Sequence, residues 1–153
     1  MIILDVDGVL TDGRIVIGSD GTDYKNFHAH DGYGITRALA AGIRLTVISG
    51  RRSEVTSHRM KKLGIREFYQ NRMDKVKVYR MLKKKHRLHD RETCFIGDDE
   101  FDLPLLSIVG FSAAPCDAMP TVLKSVDFIS SKKGGRGAVR EIIDYILHAK
   151  KLL

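Results

Sequence analysis

Near its start the sequence reads IILDVDGVLTDG over residues 2–13, and this stretch decides the fold. The short, β-branched apolar run 2–6 is typical of a buried strand, and the segment 8–13, bounded by glycines, is typical of the loop that follows. Asp5 and Asp7 therefore stand at the carboxyl end of a predicted strand, and their i, i+2 spacing places them on one face. In open α/β sheets, ligands bind at this end of the strands.

Beyond this loop, predicted strands and helices alternate. We expect helices over 32–41, 53–63, 75–85, 102–108, 118–124 and 138–151, and strands over 43–48, 67–69, 93–96, 110–113 and 127–129. Two short strands around an Asp-Gly turn, 14–18 and 23–28, predict a β-hairpin. The alternation predicts an α/β fold with a Rossmann-like parallel sheet flanked by helices and a hairpin flap. Residues 1–153 form one predicted domain.

The composition excludes several classes of protein. Hydrophobic residues make up 43% and charged residues 29%, unlike disordered or collagen-like chains. We expect no membrane segment, because no apolar run approaches the roughly 20 residues of a spanning helix, and no secretory leader. Cys94 and Cys116 are too few for a disulfide scaffold, so we expect both to be reduced, in a cytoplasmic protein.

The net charge of +7 favours an anionic partner. Nucleic acid is the first suspicion, yet the chain has no Trp and only 7% aromatic residues, so platforms for stacking bases are sparse. The densest basic run, residues 83–87, lies inside a predicted helix and fits a solvated face. We therefore expect no nucleic-acid partner.

A second acidic cluster, Asp98, Asp99 and Asp102, follows the predicted strand 93–96. Carboxylates that converge on one crevice repel each other unless a cation is present. Mg²⁺ suits such a site because it takes carboxylate oxygens, waters and substrate phosphate as ligands. The sequence therefore predicts a magnesium site.

Two further positions can bind an anion. Ser49 and Gly50 precede a predicted helix, so a hydroxyl and free N–H groups meet there, and Lys75 adds a point charge. A carboxylate pair, a hydroxyl, a lysine and a second acidic cluster together predict phosphoryl transfer through an aspartyl-phosphate. One aspartate of the pair attacks the phosphate, while the other protonates the leaving alcohol and later takes a proton from water.

These motifs resemble those of the haloacid dehalogenase superfamily of phosphohydrolases. DVDGVLTDG (5–13) looks like its first motif, ISG (48–50) its second, Lys75 its third and GDDEFD (97–102) its fourth. The resemblance implies that Asp5 is the nucleophile, that Asp7 is the acid/base, and that Ser49 and Lys75 bind the phosphoryl group. It implies that the metal ligands are Asp5, Asp98 and the backbone carbonyl of Asp7. It also implies that Asp99 and Asp102 orient Lys75 and the metal waters.

A closer resemblance, to the 3-deoxy-D-manno-octulosonate (Kdo) 8-phosphate phosphatases, covers residues 1–153. It rests on HDGYGI (30–35), ISGR (48–51), the LP after the acidic cluster (103–104) and GGRGAVRE (134–141). It implies a role in lipopolysaccharide precursor synthesis. The implied substrate contacts, besides Asp7 and Lys75, are His28, Ala29, His30, Asp31, Gly32, Thr36, Arg51, Arg59 and Arg136. Relatives usually have a basic residue at the position of Thr36 and an arginine at that of His30.

No cap domain is expected, because neither 14–31 nor 52–74 can hold the roughly 50 residues that a second domain needs. A neighbouring subunit is then the economical way to close the site. The resemblance implies a homotetramer in which the segment 134–137 carries Arg136 over a neighbour's substrate, although these glycines could simply lead into the last helix.

Three alternatives stay open. The first is a phosphatase for the 9-phosphate of a sialic-acid-type sugar. By the resemblance, Arg51 favours the octulosonate phosphatases over this alternative. The second is a non-catalytic Mg²⁺- and phosphate-binding regulatory domain, against which Asp7 stands as an acid/base that a stable phosphoacceptor would not need. Nucleic-acid binding is the third.

Overall fold

The structure is a computed structural model that describes residues 1–152, so the last residue of the predicted domain lies outside it. The strands are β1 (Ile2–Leu4), β2 (Val16–Ile17), β3 (Asp23–Tyr24), β4 (Leu45–Ile48), β5 (Glu67–Tyr69), β6 (Cys94–Ile96), β7 (Phe111–Ala114) and β8 (Phe128–Ile129). The helices are α1 (Ala29–Ala40), α2 (Glu54–Lys62), α3 (Lys75–His86), α4 (Leu103–Leu106), α5 (Pro120–Leu123) and α6 (Ala138–Ala149).

Six of the strands form a parallel sheet in the order β5-β4-β1-β6-β7-β8, which confirms the predicted α/β fold. The central strand β1 lies between β4 and β6, and Leu4 pairs with Val47 on one side and Ile96 on the other. The carboxyl ends of these three strands are therefore level. The residues that follow them necessarily meet at one edge of the sheet.

Apolar side chains cover both faces of the sheet. Ile2 and Leu4 pack with residues of α1, α2 and α6, while Ile3 points to the opposite face and packs with residues of α3, α4 and α5. This alternation follows from the two-residue period of a strand, and it explains why β1 is apolar on both sides. Burial of each such side chain contributes about 1.5–3 kcal/mol.

Four of the six helix starts differ from the sequence expectation, and two of these differences are small: α2 begins one residue later and α5 two residues later than expected. Helix α1 begins at Ala29 rather than 32, because the Gly32 N–H already bonds the His28 carbonyl. The helix expected from 102 begins as a 3₁₀ turn, Glu100–Asp102, and continues as the short α4. The side chains of Asp99 and Asp102 bond backbone N–H groups of this turn and hold it in the tighter form.

The predicted hairpin is present as β2 and β3, two residues each, and its apolar side chains Ile15, Val16, Ile17 and Tyr24 are exposed. The segment between β4 and β5 holds only α2. Neither segment forms a cap domain, as expected. Among the described residues, no helix combines the length and the apolar character needed to cross a bilayer.

Candidate active site

The loops after β1, β4 and β6 enclose a cavity of about 270 Å³. Its lining includes side chains from all three loops: Asp5, Asp7, Ser49, Arg51, Asp98 and Asp99. The hairpin and a hydrophobic rim complete it with Ile15, Met73 and Phe101. The level strand ends thus bring the predicted carboxylates and the predicted hydroxyl to one place.

Lys75 supplies a buried cation to this cluster. Asp74 accepts a hydrogen bond from the Lys77 N–H and so starts α3 with Lys75 as its first residue. The Lys75 side chain is 1% exposed, and its Nζ lies 3.0 Å from Asp5 Oδ2 and 2.6 Å from Asp102 Oδ1. The ring centroid of Phe101 is 4.6 Å from Nζ, a cation–π distance. One ammonium therefore neutralises two buried carboxylates.

Asp102 connects Lys75 to the loop that carries Asp98. Its Oδ2 accepts hydrogen bonds from the backbone N–H of Asp98 at 3.0 Å and of Asp99 at 3.4 Å, while its Oδ1 faces Lys75. Asp102 is completely buried. The resemblance predicts that Asp102 orients Lys75, and in the structure these two side chains are in contact.

The carboxylates are arranged to hold a divalent cation. One oxygen from each of Asp5, Asp98 and Asp102 lies within 4.8 Å of the others, and Asp98 Oδ1 is buried without a hydrogen-bond partner. Burial raises the pKa of Asp98 to about 8, helped by the charges of Asp5 and Asp102. Burial also raises the pKa of Asp5, although Lys75 opposes it. These residues fit Mg²⁺. Both oxygens of Asp102 face Lys75 or backbone N–H groups, whereas Asp5 faces Lys75 through Oδ2 and Asp98 Oδ1 has no partner, so Asp5 and Asp98 are the better donors.

Asp7 pairs with a lysine that the sequence interpretation missed. Lys25, from the hairpin, donates from Nζ to Asp7 Oδ1, and the lysine side chain is 3% exposed. No spacing or motif relates two residues 18 positions apart, so only the folded hairpin reveals the pair. Lys25 therefore contacts Asp7, one of the residues that line the cavity.

Ser49 and its neighbours follow β4 as predicted. The Ser49 side chain is buried, and its Oγ accepts a hydrogen bond of 3.3 Å from the Arg51 N–H. At Gly50 a Cβ would stand 2.8 Å from Met73 Sδ, so the absence of a side chain keeps this wall of the cavity close. The Arg51 side chain is exposed at the cavity.

Asp31 has a structural partner instead of a place in the cavity. Its two oxygens accept hydrogen bonds from the backbone N–H of Gly137 at 3.2 Å and of Arg140 at 2.8 Å. It is 1% exposed and so caps the first turn of α6 from α1. Burial raises its pKa, and the two N–H groups oppose that shift.

The other residues expected to contact substrate lie outside this cavity. His30 and His28 pack with ring centroids 5.0 Å apart, and the exposed Thr36 hydroxyl donates to the Tyr33 carbonyl. Arg59 lies over the Phe27 ring. His28 Nδ1 and Arg59 Nε are buried without hydrogen-bond partners. In addition, Ala29 is exposed, Gly32 is buried and Arg136 is exposed in a separate cavity with Arg14, Lys132 and Lys133.

Comparison with known proteins identifies relatives over the whole chain. A family model for haloacid dehalogenase-like hydrolases matches residues 59–143. The chain is 40% identical to the 3-deoxy-D-manno-octulosonate 8-phosphate phosphatase of Yersinia pestis, over 100% of this chain and 82% of the relative. The crystal structure of a Yersinia pestis phosphatase of this name has a TM-score of 0.96 at 40% identity, covering 98% of this chain and 81% of that one.

A second solved structure is a complex with ligands. It is the 3-deoxy-D-manno-octulosonate 8-phosphate phosphatase from Moraxella catarrhalis in complex with a magnesium ion, a phosphate ion and a KDO molecule. It is 37% identical to this chain with a TM-score of 0.95, and the match covers 97% of this chain and 85% of that one.

Proposed function

The chain belongs to the haloacid dehalogenase-like hydrolases, in the family of 3-deoxy-D-manno-octulosonate 8-phosphate phosphatases, and we propose that it hydrolyses Kdo 8-phosphate to Kdo and phosphate. It is a phosphoric monoester hydrolase rather than a silent regulatory domain. One observation carries the substrate proposal: Asp5, Asp7 and Asp98 line one cavity, with Lys75 against Asp5, in a chain that matches these phosphatases over its full length. The Moraxella relative with magnesium, phosphate and KDO supports it.

Asp5 is the proposed nucleophile. An Asp5 oxygen attacks phosphorus, the bond from phosphorus to the sugar oxygen breaks, and an aspartyl-phosphate forms on Asp5. Lys75, 3.0 Å from the Asp5 carboxylate, offsets the negative charge that gathers there. Ser49 and Gly50 line the same cavity, and the Ser49 hydroxyl is the proposed contact of a phosphoryl oxygen.

Asp7 is the proposed acid and base. It gives a proton to the leaving sugar oxygen, which becomes a hydroxyl. It then takes a proton from the water that attacks the aspartyl-phosphate, and this attack releases phosphate and restores Asp5. Asp5, Asp98 and the Asp7 backbone carbonyl would hold Mg²⁺, with Asp99 and Asp102 in support. Bound there, Mg²⁺ supplies the positive charge that lets an anionic carboxylate approach an anionic phosphate.

Arginine side chains are the proposed contacts of the sugar acid. Arg51 reaches the cavity from the loop after β4, and a planar guanidinium can bind both oxygens of a carboxylate. The buried, unpartnered nitrogens of His28 and Arg59 are further proposed contacts, because such groups favour a polar ligand.

We further propose that the protein acts as a cytoplasmic homotetramer in lipopolysaccharide precursor synthesis, with Arg136 of one subunit over a neighbour's substrate. The exposed apolar side chains of the hairpin and the exposed Arg136 support an assembly of this kind. Light scattering on the intact protein should give a tetramer mass, and Arg136→Ala should raise KM for the sugar-acid phosphate while leaving that mass unchanged. An active monomer would contradict the assembly.

The substrate is tested by phosphate release from Kdo 8-phosphate, a sialic acid 9-phosphate and p-nitrophenyl phosphate, each with Mg²⁺ or EDTA. We expect the highest kcat/KM for Kdo 8-phosphate and no turnover in EDTA. Asp5→Asn should abolish turnover, whereas Asp12→Asn, a control on the same loop whose side chain bonds the Arg14 N–H outside the cavity, should not. A preference for the simple ester, or full activity of Asp5→Asn, would refute the proposal.

A further inference from the structure

The segment Gly134–Gly135 packs against the loop that follows β1 in the same chain. The Gly135 N–H donates to the Val9 carbonyl at 3.0 Å, and the Gly134 N–H donates to Asp117 Oδ1 at 2.9 Å. The first bond joins the glycine pair to the loop that follows Asp5 and Asp7, and the second joins it to the loop after β7. The glycine pair therefore makes contacts within its own chain, and these do not depend on where the Arg136 side chain binds.

A close contact with Gly8, and not an unusual backbone conformation, explains why residue 134 is a glycine. Its φ lies outside the left-handed region, so an alanine could adopt the same conformation. A Cβ on Gly134, however, would overlap the carbonyl oxygen of Gly8 and stand 2.6 Å from the carbonyl carbon. The Gly8 peptide would have to move away from its present position.

Gly8 in turn touches the candidate cation site on its other side. It has a φ of +86°, and a Cβ there would overlap Asp98 Oδ2 and stand 2.5 Å from Asp98 Cγ. Gly8 is thus held between Gly134 and the Asp98 carboxylate, whose other oxygen, Oδ1, is buried without a hydrogen-bond partner. A shift of Gly8 would change the space between Asp98 and the first acidic loop.

We propose that Gly134 is a positioning residue for the cation site: through Gly8, it sets how the first acidic loop meets the Asp98 carboxylate. The inference rests on the proposed function in one respect, that this site binds Mg²⁺. Residues that orient metal ligands typically change metal affinity by about 10–100-fold when they are altered. Gly134→Ala should therefore weaken cation binding by about 10-fold or more.

The test compares Gly134→Ala with Gly110→Ala in the full-length protein. Gly110, ahead of β7, is a matched control because its φ also lies outside the left-handed region and its Cβ would stand 2.6 Å from the Asp90 carbonyl oxygen, away from the cavity. Mn²⁺ binding, followed by electron paramagnetic resonance without substrate, is the readout, with Tm measured alongside. We expect both variants to lose Tm and only Gly134→Ala to lose Mn²⁺ affinity.

Wild-type Mn²⁺ affinity in Gly134→Ala, or equal losses in both variants, would overturn the inference. If Gly134→Ala does not fold, Asp117→Ala replaces it, because it removes the acceptor of the Gly134 N–H without adding bulk. A weaker Mn²⁺ affinity then supports the inference and an unchanged one overturns it. A wild type that binds Mn²⁺ but hydrolyses no phosphate ester would refute the proposed function alone.

Discussion

Replacing Lys75 by methionine removes the buried positive charge of the site and keeps an unbranched side chain of similar length. The Lys75 side chain is 1% exposed, and its Nζ contacts Asp5 at 3.0 Å and Asp102 at 2.6 Å. Those two carboxylates are themselves 2% and 0% exposed as residues. The substitution therefore leaves two buried carboxylates without their common cation.

The expected cost depends on pH. Removing one partner of a buried ion pair typically costs about 3–5 kcal/mol, and we expect a loss of this size at pH 8 in EDTA. At pH 5 the loss should be smaller, because without Lys75 the pKa of Asp5, already raised by burial, rises further and its carboxyl takes up a proton. A group whose pKa is higher in the folded state contributes stability at pH values below its unfolded-state pKa. This stability is lost as the pH rises through the folded-state pKa.

Urea unfolding of Lys75→Met at pH 5 and pH 8 measures both effects, with Lys77→Met as the control because Lys77 is exposed on the same helix. Phosphate release from Kdo 8-phosphate should fall by at least about 100-fold in Lys75→Met, since its charge faces the reacting carboxylate. A Lys75→Met protein as stable as Lys77→Met at pH 8, or equally destabilised at both pH values, would refute the electrostatic reasoning.

Three further predictions concern other residues of the site. Because the pKa of Asp98 is raised to about 8, the folded protein in EDTA holds this proton more tightly than the unfolded chain does. Its free energy of unfolding should therefore fall between pH 5 and 8, by at most about 1.4 kcal/mol per pH unit for this proton, and Asp98→Asn should remove that part of the slope in urea melts. Asp31→Ala should lower the free energy of unfolding by about 1–2 kcal/mol, as the loss of a helix cap does, and an activity loss without this destabilisation would instead indicate substrate contact. Lys25→Met should slow the hydrolysis of alkyl phosphates more than that of p-nitrophenyl phosphate, because a good leaving group needs little help from Asp7. Lys25→Arg should restore the hydrolysis of alkyl phosphates. Equal losses on both esters would mean that Lys25 only holds the hairpin.

The placement of the proposed catalytic cluster could be predicted because its residues follow the ends of strands. Asp5, Ser49 and Asp98 each follow an apolar strand within a few residues, and a parallel sheet brings such positions together whatever the helices do. Lys75 was predictable because it begins a helix after an N-cap aspartate. Local rules of sequence are sufficient where the fold itself supplies the long-range geometry.

Asp31 and Lys25 lie beyond such rules. Asp31 is in the first turn of α1 and has the usual position of an acidic residue near a helix start, yet its oxygens cap α6, 106 and 109 residues away. Lys25 reaches Asp7 only because a two-residue strand pairs with another beside the cavity. Each contact depends on how two elements pack, which neither periodicity nor capping preference encodes.

The charges around the cavity indicate an order of binding. Asp5, Asp7, Asp98, Asp99 and Asp102 outnumber the two lysines, Lys25 and Lys75, that pair with them. A phosphate monoester would add more negative charge to a site already short of cations, whereas Mg²⁺ would relieve the repulsion from Asp5 and Asp102, which adds to burial in raising the pKa of Asp98. Arg51 also lines the cavity, but it forms no ion pair with these carboxylates within residues 1–152. Cation binding should therefore precede substrate, and the affinity for inorganic phosphate should rise with Mg²⁺ concentration.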